Sequence, residues 1–194
     1  MELMHEIGRA LHSRPVRIID PGNRPHSAVA IILTETPDGP NVLFIERATN
    51  ENDLWSGHVG FPGGRTENRD RSPRQTAERE TREELGVDLS SAHYLGRIND
   101  IAPGGLSMVV SCFVYAFDHT PVLHPDHREV ARVFWFPVRE INNPGRRSWV
   151  DLLFRGRLRH FPAVRLGDGT RQPLWGISYR LLRNLCKVAN VTAG

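Results

Sequence analysis

The order of apolar and polar positions divides the chain into short segments with two different periods. In "ELMHEIGRALHS", Leu3, Ile7, Ala10 and Leu11 recur at helical spacing, which predicts a short amphipathic helix over residues 2–12. "RPVRIIDPGNRP" follows as a connector set by its prolines and glycine. "SAVAIILTE" (27–35) is a short apolar run that predicts a buried strand; "PDGP" predicts a turn and "NVLFIERA" the returning partner of a hairpin. "HVGFPGG" (58–64) predicts a short strand stopped by Pro62 and a glycine pair. "SPRQTAERETREELG" predicts a helix with Ser72 as N-cap, Pro73 at the first helical position and Gly86 just past the end. "SAHYLGRIND", "SMVVSCFVYAF" (107–117) and "EVARVFWFPV" predict three further strands, and "RHFPAV" a last short one. "PLWGISYRLLRNLCKVA" predicts a closing amphipathic helix. With no repeat, low-complexity tract or linker, the pattern predicts one α+β domain, a mixed sheet with helices on both sides. An N-terminal helix and connector occupy residues 1–25 and the main domain 26–190.

Composition narrows the class without choosing the chemistry. The chain has 194 residues, 39% of them hydrophobic, enough for one domain with a sizeable core. No apolar run approaches the roughly 20 residues that span a bilayer, so no membrane association is expected. The N-terminal segment has acids and no small-residue cleavage site, which argues against a secretion signal. Two cysteines, Cys112 and Cys186, make no disulfide framework and no C-x-x-C pair, so a reducing cytoplasmic location is expected. The net charge of +3 suits phosphate-bearing ligands and equally suits a mixed, solvated surface. No helix-turn-helix, zinc or aromatic RNA-binding signature is present, so no nucleic acid is expected as a partner.

The helix that ends at Gly86 carries the feature that does change the picture. In "RETREELG" (79–86), Glu80 and Glu84 form an i,i+4 like-charge pair with Glu83 beside them. Each such pair costs an isolated helix roughly 0.2–0.5 kcal/mol. At about 100° per residue, the three carboxylates share a sector of about 100°, while Ala77, Thr81 and Leu85 make a narrow stripe suited to a sheet. Glu78 points to the far side, where Arg82 can pair with it. Two readings of the trio stand: a solvated acidic face, or a site for a hard divalent cation whose charge reverses the repulsion. Gly63 and Gly64, just upstream, would let backbone approach a ligand closely.

From Gly64 the chain reads "GRTENRDRSPRQTAERETREELGV", which resembles the Nudix box, G-x5-E-x7-R-E-U-x-E-E-x-G-U with U a bulky aliphatic. Gly64, Arg79, Glu80, Glu83, Glu84, Gly86 and Val87 match. Asp70 stands at the early acid, eight residues instead of seven before Arg79, and Thr81 occupies an aliphatic position. The extra residue, "VGFPGG" (59–64), "LGRINDIAP" and "LWGISYRLL" look like the coenzyme A diphosphatase branch of the family. Asn52, Asp53 and Trp55 depart from the leucine, arginine and histidine usual there, and His58 replaces a glutamine.

The resemblance implies an α/β/α sandwich and an Mg²⁺- or Mn²⁺-dependent enzyme that hydrolyses a nucleoside diphosphate linked to a second moiety. By the same resemblance Glu80 and Glu84 are metal ligands, Glu83 is a ligand or acts through water, and a Gly63 or Gly64 carbonyl completes the shell. Arg79 clamps Glu83 or the loop acids Glu67 and Asp70. Glu129, with Asp126 as its neighbour, matches the acid that supplies another ligand or the general base; a plain loop acid is the other reading. Arg47, Arg65 and Arg97 are candidate phosphate contacts. His58 and Trp55 could meet substrate or merely pack, and Met108 and Phe113 read as strand core. The implied substrate is coenzyme A or an acyl thioester, cleaved to 3′,5′-ADP and (acyl-)4′-phosphopantetheine. The alternatives are a nucleoside diphosphate sugar or ADP-ribose, and a non-catalytic nucleotide-sensing domain. Nothing in the chain fixes the oligomeric state, a homodimer included.

Overall fold

The computed structural model describes residues 2–49, 56–154, 156–167, 170 and 172–190. Three helices, α1 (Glu2–His12), α2 (Pro73–Leu85) and α3 (Gly176–Val188), accompany ten strands. The strands are β1 (His26–Thr36), β2 (Gly39–Arg47), β3 (Val59–Gly60), β4 (Gly63–Arg65), β5 (His93–Ile101), β6 (Val109–Phe117), β7 (Val130–Pro137), β8 (Arg147–Phe154), β9 (Arg157–Val164) and β10 (Leu174–Trp175).

Seven strands form a mixed sheet. β1 and β2 are an antiparallel hairpin, β6 lies parallel to β1 from His26↔Val109 to Thr34↔Phe117, and β5 returns antiparallel on β6. β7 pairs with β2. The hairpin partners only through Leu33↔Val42 to Thr36↔Gly39. Beyond that, β4 takes the N-terminal half of β1 (Val29↔Gly63) and β3 the C-terminal half of β2 (Ile45↔Gly60). The glycine loop is therefore wedged into the splayed base of the hairpin.

The strict alternation along β1 and β2 divides the core between the two faces. Ala30, Ile32, Leu43 and Ile45 meet Ala77 and Leu85 of α2 on one face. Ile31, Leu33, Val42 and Phe44 meet Ile7 and Leu11 of α1 and Leu181 and Leu185 of α3 on the other. The stripe Ala77–Thr81–Leu85 is fully buried as its spacing predicts, and the Thr81 hydroxyl donates to the Ala77 carbonyl at 2.7 Å, which lets a threonine replace the aliphatic residue there.

Two elements depart from the sequence expectation. "RHFPAV" is the inner part of a hairpin, β8–β9, whose first strand was not expected, and both belong to a second, three-stranded antiparallel sheet with β10. The closing helix begins at Gly176, three residues later than its apolar period suggests, because Leu174 and Trp175 pair with Val164 and Ala163. Gly176, at φ +64°, makes the turn between strand and helix. No helix among the described residues is long and apolar enough to cross a membrane. Both cysteines are buried and unpaired with each other.

Candidate functional site

The site is built on the first turns of α2 and the loop that precedes it. Ser72 caps the helix in an extended conformation, its hydroxyl accepting from the Gln75 amide at 3.2 Å, and Pro73 fills the first turn. Gly86 ends it at φ +67°, its amide donating to Arg82 O at 2.9 Å, the left-handed cap that only glycine adopts without strain. The last carbonyls do not stay open. His124 N donates to Leu85 O at 2.8 Å and Asp126 N to Glu84 O at 2.9 Å, so the loop before β7 is pinned to the end of α2. Glu129 rides on that loop, with its carbonyl accepting from Ala48 N at 2.8 Å.

Arg79 organises the loop. Its side chain is 7% exposed and its Nε and Nη2 donate to the two oxygens of Asp70 at 2.9 and 3.0 Å, a bidentate fork. Nη2 also donates to Arg65 O at 3.1 Å, and Nη1 to Glu80 at 2.9 Å and Glu83 at 2.8 Å. The extra residue before Arg79 is thus absorbed by the loop, and the shorter aspartate still reaches the guanidinium. Asp70 accepts in addition from Glu67 N at 2.9 Å and Thr76 Oγ1 at 3.0 Å. The Arg79 fork holds its carboxyl well below the usual range, and Asp70 in turn raises Arg79. Glu67, the other candidate, stands farther off, at 3.9 Å.

The acidic trio splits into two environments. Glu84 is 1% exposed, accepts from Gly63 N at 2.9 Å and lies 3.7 Å from Arg47 Nη1. Burial pushes its carboxyl up to about 8, with the charges of Glu80 and Glu129 adding to the rise and Gly63 and Arg47 opposing it. Glu80 is also raised, first by burial, against the pull of Arg79 and with repulsion from Glu83 and Glu129. Gly64 explains its own identity: a Cβ there would sit 2.5 Å from Glu80 Cδ. Gly63, at φ +145°, would drive a Cβ within 2.3 Å of Ala28 O. Glu83 stands apart, 44% exposed and held between Arg79 and Arg69 Nη2 at 3.1 Å.

No three His, Cys, Asp or Glu side chains among the described residues are gathered closely enough to hold a metal ion as they stand. The donor chemistry nevertheless fits a hard divalent cation at Glu80 and Glu84. Two buried carboxylates repel one another, and glycine backbone lies against one and donates to the other. Glu83 is the member of the trio whose oxygens already serve two guanidinium groups.

Beside this pair opens a cleft of about 280 Å³ lined by Arg47, His58, Gly63, Gly64 and Arg65 on one side and by Met108, Trp175 and Ser178 on the other. The structure brings Arg47, Arg65 and His58 together there, and Met108 lines the cleft rather than only the core. His58 packs on the Trp175 ring with centroids 5.2 Å apart. Arg97 is elsewhere: it grips Asp100 at 2.8 and 2.9 Å and Ser111 at 2.9 Å over the Phe113 ring. Asp126 is held by Arg128. Glu78 pairs with Arg74 one turn earlier, at 2.8 Å, and not with Arg82, because the Tyr115 hydroxyl also donates to it there, at 2.9 Å. Trp55 and its neighbours Asn52 and Asp53 lie outside the described residues. Trp175 and Ser178 were not foreseen as site residues; the glycine that breaks the apolar period at 176 was the available signal.

Comparison with known proteins agrees with this geometry. The NUDIX domain family model matches residues 24–153. A Schizosaccharomyces pombe protein, C14C4.10c, is 35% identical over 54% of this chain, which spans only 34% of that protein's length. The Nudix hydrolase NudL of Yersinia enterocolitica is 30% identical over 87% of this chain and 84% of its own. The human mitochondrial coenzyme A diphosphatase NUDT8 is 28% identical over 80% of this chain and 66% of its own. Among solved structures, DR0079 from Deinococcus radiodurans superposes with a TM-score of 0.54 at 16% identity, covering 86% of this chain and 88% of its own.

Proposed function

The chain belongs to the Nudix family and is a Nudix hydrolase, and from that premise we propose that it hydrolyses the diphosphate link of coenzyme A or its thioesters, yielding 3′,5′-ADP and (acyl-)4′-phosphopantetheine. One observation carries the choice of substrate. The three segments that look like the coenzyme A branch are far apart in sequence, yet they meet around one opening. Val59–Gly64 and Trp175–Ser178 line the same cleft, with Gly60 so close that a Cβ would lie 3.0 Å from Ser178 Oγ. Pro103, which ends "LGRINDIAP", lines its continuation with Trp175. The human relative that resembles this chain carries the name of that activity.

The chemistry requires neutralising the diphosphate, placing a water in line with one phosphorus and removing its proton. Nudix hydrolases generally use divalent cations; here Glu80, Glu84 and a Gly63 or Gly64 carbonyl would hold Mg²⁺ or Mn²⁺, which supplies Lewis acidity and lowers the proton affinity of water. Arg47 and Arg65 flank the glycine loop and pair with phosphate oxygens. Arg79 does not touch substrate. It keeps the loop and Glu80 in register through Asp70 and Arg65 O. Glu129 is exposed and electrostatically coupled to both buried acids, and among the described residues it carries no ion pair, whereas Glu83 carries two. Glu129 is therefore assigned as the base that takes the proton of the attacking water, with Glu83 as the acid that holds Arg79 and Arg69 at the rim. The test is kcat/KM on coenzyme A, dephospho-coenzyme A, ADP-ribose and UDP-glucose. Coenzyme A should lead by at least tenfold; a tenfold lead for ADP-ribose or UDP-glucose would overturn the substrate and leave the hydrolase.

A further inference from the structure

The cleft does not end at Trp175. Beyond that ring lies a second cavity of about 460 Å³, between the β8–β9 hairpin and the start of α3. Leu106, Leu152, Leu153, Phe161 and Ile177 form its walls, and Arg159 and Arg180 stand among them. The two cavities share His58, Trp175, Gly176 and Ile177. Trp175 is the partition, packed on His58 at 5.2 Å on one side and on Phe161 at 5.6 Å on the other.

We propose that this groove takes the acyl chain of an acyl-coenzyme A, so that medium-chain thioesters are preferred over free coenzyme A. The inference rests on the coenzyme A reading above. Its apolar walls include Leu152 at 38% and Leu153 at 71% exposure, surface that gains by being covered with hydrocarbon. The position decides which end of the substrate enters. The groove lies past Trp175 from Glu80 and Glu84, so its occupant is separated from the scissile diphosphate by a spacer. The pantetheine arm is such a spacer, whereas the ribose and adenine follow the diphosphate directly. The walls also offer leucine side chains and the aliphatic stems of two arginines, which suit a flexible chain better than a base that needs hydrogen-bond partners along its edge. Arg159 and Arg180 keep their heads at the mouth, where the thioester and pantetheine amide oxygens would pass.

The experiment is a chain-length series: free, acetyl-, butanoyl-, hexanoyl- and octanoyl-coenzyme A, with wild type, Leu152→Asp and Phe161→Ala. The same compounds are titrated calorimetrically in the presence of a chelator, which reads binding without turnover. Burial of a methylene is worth up to about fourfold in affinity. Octanoyl-coenzyme A should therefore exceed acetyl-coenzyme A by at least tenfold in both kcat/KM and affinity. Leu152→Asp should flatten the series to within threefold while changing free coenzyme A, which leaves the groove empty, by less than twofold. Phe161→Ala gives the same readout should the aspartate disturb the hairpin, and thermal melting confirms that each variant is folded. A flat wild-type series overturns the inference and leaves the coenzyme A reading in place, as does a preference that both variants keep. Failure of every coenzyme A compound beside turnover of another nucleotide overturns the proposed function itself.

Discussion

Replacing Asp70 by asparagine removes one charge from a pair that is almost out of water: the carboxylate is 2% exposed and the Arg79 side chain 7%. Breaking a buried pair by deleting one partner costs about 3–5 kcal/mol, because the remaining charge keeps its desolvation penalty. Arg79 retains Glu80, Glu83 and the Arg65 carbonyl, so the lower end, about 3 kcal/mol, applies. Asparagine also presents an amide where Asp70 accepts from Arg79, Glu67 N and Thr76, so one of those donors meets another donor. Urea unfolding at pH 7 measures the loss directly as a lower midpoint at unchanged slope. The pH dependence provides a second reading. The Asp70 carboxyl is held below its ordinary value of 3.8, so its contribution is present above that pH and is lost as pH falls through the lower folded-state value. The wild type should lose this increment in acid, and Asp70→Asn should show no such loss from this site. A cost under about 1 kcal/mol, or acid limbs that superpose, would refute the reasoning that the clamp holds the loop.

Three further variants probe the carboxylate pair. Gly64→Ala places a Cβ 2.5 Å from Glu80 Cδ, so turnover should fall at least tenfold, with circular dichroism unchanged. Glu84→Gln removes a carboxyl that burial raises from 4.5 to about 8. The raised value means that the wild type, freed of cations, loses stability as pH climbs through that window, by on the order of 4 kcal/mol, whereas the glutamine variant stays level and is the more stable protein at pH 9. A wild-type stability that does not fall between pH 5 and pH 9 would count against the burial argument. Glu129→Gln should lower kcat more than threefold with KM unchanged; a smaller drop would demote it to a loop acid.

The sheet and its flanking helices were legible because apolar runs, caps and turns agreed. Ser72, Pro73 and Gly86 bound α2 in sequence as they do in space, and the stripe Ala77–Thr81–Leu85 faces the sheet. The box residues were legible because their spacing is fixed by one helix turn and one loop. What escaped depends on tertiary partners. β8 is hidden because Trp149, Leu153 and Leu158 put apolar side chains toward solvent, at 67%, 71% and 61% exposure, so no alternation marks a buried face. Gly156, at φ +73°, was the one local sign of its hairpin turn. β10 escaped because two residues carry no period, and with it went the role of Trp175. The division of labour within the trio was equally invisible. A helical wheel places Glu80, Glu83 and Glu84 on one sector, but only the loop decides that two of them are buried and the third lies between Arg79 and Arg69. The same holds for Arg97, whose partner Asp100 is itself fully buried.

The central claim, that Glu80 and Glu84 beside the Gly63–Gly64 loop support divalent-cation-dependent hydrolysis of a diphosphate, is tested most directly by coenzyme A turnover in ¹⁸O-labelled water. Wild type and Glu80→Gln are stripped with chelator and then resupplied with Mg²⁺ or Mn²⁺, and the products are weighed by mass spectrometry. The account predicts no turnover until the cation returns, then 3′,5′-ADP and 4′-phosphopantetheine with one ¹⁸O in one of the two, and a loss of at least about a hundredfold in Glu80→Gln. Full activity after exhaustive chelation, or more than about a tenth of the wild-type rate in Glu80→Gln at saturating cation, would contradict it.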